Sequence, residues 1–117
     1  MDLDDVTVEQ RVKPARARLR GWLADALPGH ALPDNDAQLV STFLKVIEGT
    51  GFEYQLIDLA ATAERQFEVQ WTHKKAQFVG FTQAPPAPSK EAALLLACDA
   101  LLHNEWCRGR INSFLDR

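Results

Sequence analysis

Hydrophobic and polar positions along the chain change period several times, and each change predicts an element. Ala15, Leu19, Trp22, Leu23 and Ala26 recur at helical spacing, so the pattern predicts a helix over about 14–27. Pro14 suits its first turn, Gly21 weakens its middle, and Pro28-Gly29 ends it. Asp34, Asn35 and Asp36 are good caps for a second helix over about 34–48, with Leu39, Val40, Phe43, Leu44, Val46 and Ile47 as its buried stripe and Gly49 and Gly51 as its stop. The period then drops to two. Phe52, Tyr54 and Leu56 alternate with Glu53, Gln55 and Ile57, and Phe67, Val69 and Trp71 alternate with Glu68, Gln70 and Thr72. Phe78, Val79 and Phe81 begin a third run after the connection His73-Lys74-Lys75-Ala76, while 60–64 reads as the first connection.

The tract APPAP at 84–88 is compatible with neither helix nor central strand and reads as a stiff spacer. Ser89 caps a helix over about 89–103, which is apolar almost all the way round and broken only by Asp99. Trp106, Ile111, Phe114 and Leu115 allow one more short helical turn beyond it. The expected fold class is therefore α+β: a three-stranded antiparallel sheet over about 52–83, packed by helices before it and after it, with an extra N-terminal helix. The 117 residues make one domain. Within it, 1–33 reads as a helical extension, 34–103 as an αβββα core and 104–117 as a tail.

Composition narrows the function classes. Hydrophobic residues make up 46% and charged residues 25%, the balance of a globular protein. With 13 Lys+Arg against 16 Asp+Glu the net charge is −3, which disfavours tight general nucleic-acid binding. The N-terminal residues MDLDDVTVEQ lack the basic and apolar runs of a signal peptide, and Ala92–Cys98 is too short to span a membrane, so the expected location is the cytoplasm with Cys98 and Cys107 as thiols.

Candidate chemistry is sparse. Cys98, His103 and Cys107 are the one metal-like cluster, but Cys98 falls on a different helix face from the other two, so no metal is expected. No nucleophile elbow or phosphate-binding glycine loop is present, and Gly49-Thr50-Gly51 reads as a helix stop, so neither an enzyme nor a cofactor is expected. The basic stretch Arg11, Lys13, Arg16, Arg18 and Arg20 reads as a solvated helix flank, with Arg16 and Arg20 as an alternative contact for phosphates. Helices on one face of a sheet leave the other face open. Ile57, Glu68, Gln70, Val79 and Phe81 are expected there, a mixed apolar and polar surface suited to a partner or a dimer mate.

Two family resemblances extend these readings. The order of elements over 50–102, with Pro88-Ser89-Lys90-Glu91-Ala92-Ala93 opening the last helix, resembles a double-stranded-RNA-binding domain. That family opens this helix with a lysine cluster, of which only Lys90 is matched here. Residues 34–102, with Asp36-Ala37 opening a helix, the extended Gly51-Phe52-Glu53-Tyr54 and the helix Glu91-Ala92-Ala93-Leu94-Leu95-Leu96-Ala97, look like the small α-β-α sandwich proteins of bacteriophages. The second resemblance implies a non-enzymatic accessory protein. Its sharpest form is an anti-CRISPR-type inhibitor that sterically occludes a host protein such as a CRISPR effector or another defence nuclease, in the host cytoplasm. The first implies an RNA-binding module with a reduced basic surface.

Overall fold

The computed structural model describes residues 3–59, 66–73, 78–79 and 86–116. Among them the order is α1 (Leu3–Ala26), α2 (Asp36–Val46), β1 (Phe52–Asp58), β2 (Phe67–His73), β3 (Phe78–Val79), α3 (Lys90–His103) and α4 (Glu105–Leu115). The general α+β class fits, but the expected three-stranded sheet needs correction. The sheet is a two-stranded antiparallel ribbon, β1 and β2 pairing along all seven residues from Phe52↔His73 to Asp58↔Phe67. Of the third run the described residues are Phe78–Val79, which pair with His73 and Thr72. Glycine weakens a ladder and proline cannot donate to one, so Gly80 and the proline tract of the sequence disfavour a full third strand. Phe81 and the connection read at 60–64 lie outside the described residues. Beyond β3's two residues, the far side of β2 is met by Ala87, between two prolines, which exchanges backbone bonds of 2.7 and 3.0 Å with Phe67.

The first helix is longer than its expected 14–27 span, and Pro14 lies inside it. An interior proline costs one backbone hydrogen bond. A buried stripe of Val12, Ala15, Leu19 and Leu23 runs across that point, and Arg16 reaches back to Glu9 at 3.6 Å. These side chains join the same core as the rest of the chain. The expected tail is also corrected: 105–115 is a full helix. Asn104 accepts from the Cys107 N–H as its cap, and Cys107 and Ile111, four apart, are its buried face.

α3 is the centre of the molecule. Ser89 caps it, accepting from Ala92 N–H, and Leu95, Ala97, Cys98 and Leu101 are sealed. α1, α2, β2 and α4 all pack against it. On the inner face of β2, Phe67, Val69 and Trp71 are buried in the expected alternation, and His73, read from the sequence as part of the connection, continues it as the last buried residue of the strand. The Trp71 indole N–H donates to the Ala97 carbonyl at 2.9 Å, so the largest core side chain also satisfies its polar atom. Among the described residues no helix is long and apolar enough to cross a membrane.

Three of the five basic residues on α1 are engaged within the fold, not solvated, while Lys13 is exposed. Arg16 grips Asp36 at the start of α2 with bonds of 2.6 and 2.8 Å. Arg18 grips Asp99 of α3 at 2.9 and 2.8 Å. Arg20 donates to the Pro33 carbonyl at 2.6 Å. The Arg16 guanidinium holds the Asp36 carboxyl below its usual range, chiefly through these hydrogen bonds, and Asp36 with Asp99 raises Arg16 and Arg18 respectively.

Two stability measurements follow from this packing. Leu95→Ala should cost about 2–5 kcal/mol in chemical denaturation, the usual range for opening a cavity at a fully buried leucine; an unmoved midpoint would place Leu95 outside the core. Asp36 has a folded pKa below its unfolded one, so its contribution is complete above about pH 4 and is lost as pH falls through the folded value. Asp36→Asn should therefore be less stable than the parent at neutral pH, with the difference shrinking on acidification.

Candidate functional site

Among the described residues a groove of about 750 Å³ lies between the end of α2, the turn that follows it, the start of β1, and α4. Its construction begins with the turn. Ile47 closes α2, its carbonyl receives the Thr50 N–H at 3.0 Å, and Gly49 and Gly51 adopt φ of +94° and +98°. The second glycine is required twice over. A Cβ there would lie 3.0 Å from His73 Nε2, in a backbone conformation that side-chain-bearing residues rarely adopt. This close approach sets His73 Nε2 3.0 Å from the Thr50 carbonyl, a hydrogen bond that requires its proton on Nε2. At Gly49 the neighbour is the Phe114 ring, which forms the α4 wall of the groove.

Phe52, Tyr54, Trp71 and His73 line the groove, and with Trp106 behind them they make edge-to-face contacts. Phe52 and His73 lie with centroids 4.6 Å apart, His73 and Trp106 5.4 Å, and Tyr54 and Trp71 6.0 Å. His73 is buried, whereas Tyr54 and Trp106 are about 40% exposed. Arg110, one turn beyond Trp106, lays its guanidinium over the indole at 4.9 Å and lines the groove. Leu44 and Ile47 supply the aliphatic wall, with Glu48 and Glu53 also lining it. Such a site offers flat apolar contact area beside one guanidinium.

The sequence-derived candidates lie elsewhere. The register sets Ile57 opposite Glu68, Gln55 opposite Gln70 and Val79 opposite Thr72, so Ile57, Glu68, Gln70 and the Val79 position share the face of the sheet away from α3. Phe81 lies outside the described residues. Arg16 and Arg20 are committed to Asp36 and Pro33 and do not form a free basic patch. Lys90 is exposed at the start of α3, its ammonium 5.7 Å from the Phe67 ring centroid.

Cys98 is sealed in α3, and burial together with the Asp99 charge pushes its thiol pKa far up. Cys107 is pushed up to about 11, chiefly by burial. His103 Nδ1 lies 2.9 Å from the Asp99 carbonyl of its own helix. Among the described residues no three His, Cys, Asp or Glu side chains converge as a metal site.

The groove was not read from the sequence because one wall is α4. Its signal was present in Asn104 followed by Glu105, a cap with an acidic first turn, and in the four-residue step from Trp106 to Arg110. Compared with protein-family models, curated proteins and solved structures, the chain matches none of them.

The closeness of Gly51 to His73 is open to measurement. Gly51→Ala should cost roughly 1–3 kcal/mol through backbone strain and displacement of the His73 ring. Gly29→Ala, at φ +82° with nothing within 4 Å of the added carbon, should cost less. Equal melting temperatures for the two variants would show that His73 does not press on the turn.

Proposed function

We propose that this chain is a small non-enzymatic protein-binding module whose groove takes an apolar or aromatic side chain of a partner protein. The observation that carries the reading is a groove lined by Tyr54 and Arg110, with the half-exposed Trp106 packed behind it against His73 and Arg110. Tyrosine, tryptophan and arginine are the residue types that dominate binding energy at protein interfaces, because they combine large rigid contact area with a polar end. An acidic residue beside the partner's anchor would meet Arg110 across the rim. The action proposed is occlusion of the surface that the partner uses. A host defence protein is the target class that the resemblance to small phage proteins supplies, and it rests on that resemblance alone.

The outer face of the sheet is the second candidate surface. α3 lies against the inner side chains of β2, and Ile57 stands there between Glu68 and Gln55 at exposed to half-buried positions. Two charge reversals separate the surfaces in affinity capture from a bacterial lysate with quantitative mass spectrometry. Arg110→Glu should deplete the captured partner roughly tenfold, a loss equivalent to about 1.4 kcal/mol, while Glu68→Lys leaves it bound. The opposite result transfers the proposal to the outer face. A shift of duplex RNA at physiological salt that Lys90→Glu abolishes would replace it with the RNA-binding reading.

A further inference from the structure

The outer edge of β1, unpaired at Tyr54 and Leu56 among the described residues, carries a second inference that shares Tyr54 with the groove. Residues of an antiparallel pair alternate: one pair exchanges both backbone bonds, and the next turns its N–H and C=O groups away. The phase can be fixed here. One step past Asp58↔Phe67, the Leu59 N–H donates to the Gln66 carbonyl at 2.8 Å, which makes Leu59 a bonded position. Ile57, Gln55 and Glu53 therefore bond β2, and Tyr54 and Leu56 turn their backbone groups toward the other edge of β1. Phe67 agrees with this phase, since both of its backbone groups bond Ala87 on the far side of β2.

β1 is the terminal strand of the sheet order. Its seven residues, FEYQLID, contain no proline, glycine or lysine, and its pairing with β2 is continuous without a bulge. Proteins commonly blunt an edge with proline, a bulge or charged side chains; β1 has neither of the first two, and its two charges, Glu53 and Asp58, sit toward its ends and leave Tyr54–Leu56 as an uncharged centre that can template another strand. The strand that fits is this one. Laid antiparallel about Gln55, a second β1 overlaps the whole strand. Tyr54 then faces Leu56 of the second copy, so edge-facing backbone groups meet edge-facing groups in phase. Glu53 faces Ile57 and Asp58 faces Phe52, so no like charges stand directly opposite one another. Tyr54, 43% exposed in the single chain, would lie against a leucine.

We infer that two copies of this chain pair through β1, antiparallel about Gln55, and join their sheets into one continuous sheet. Gln55 is exposed and points to the face opposite the groove, so its variants probe the dimer without altering the groove lining.

Sedimentation velocity of the full chain up to high micromolar concentration should show a reversible dimer. Gln55→Lys sets two ammonium groups facing each other at the symmetry axis and should weaken that dimer roughly tenfold without lowering the monomer's melting temperature. Gln55→Cys should give a covalent dimer on mild oxidation, while Ser41→Cys, exposed on α2, should not; Cys98 and Cys107 are buried and do not compete. A monomer at every concentration, or a dimer that Gln55→Lys leaves unchanged, overturns the inference.

Discussion

Asp99 is the carboxylate that the rest of the fold has to accommodate. It is buried in α3, a helix otherwise lined by leucine, alanine and cysteine, and a buried carboxylate is costly unless paired and hydrogen-bonded. Arg18 supplies both bonds from α1. Losing one partner of a fully sealed pair costs about 3–5 kcal/mol; here the cost is smaller, because the arginine side chain is half exposed. The pair does more than neutralise a charge. It fixes the rotation of α1 about its axis, so that Leu19 and Leu23 face the core, and it places Arg16 and Arg20 where they reach Asp36 and Pro33. Three arginines on one helix thereby tie three separate segments together.

With α1 on α3, and β2 anchored to α3 through Trp71 and Ala97, the strand β1 is left at the margin. Its position governs both functional proposals. β1 pairs with β2 on one side, Tyr54 stays exposed above the groove, and the backbone groups of Tyr54 and Leu56 turn away from β2. The glycine turn brings the end of α2 close to His73 and Phe114, and that closeness turns a loose corner into a walled concavity. Among the described residues the sheet has two long strands, and this places the groove on one side of β1 and the strand's outer edge beside it.

Local signals were sufficient wherever one residue's own preference decides the outcome. The caps at Asn35 and Ser89, the glycines after α2 and the two-residue alternation of β2 were legible because capping, positive φ and strand pleat are short-range effects. The sequence by itself also determined which face of β2 is buried and that α3 lies deepest. Tertiary structure decided what depends on partners far along the chain. Pro14 marks a helix start by its own preference, yet a buried stripe from Val12 to Leu23 carries α1 through it. Gly109 discourages helix locally, yet Cys107 and Ile111 dock against the core and hold α4 together. The arginine run looks solvated as a charge pattern, and only the fold brings Asp36 and Asp99, from two other helices, within 3 Å of it. The groove belongs to this second group, since its walls come from four elements whose meeting depends on how α3 is packed.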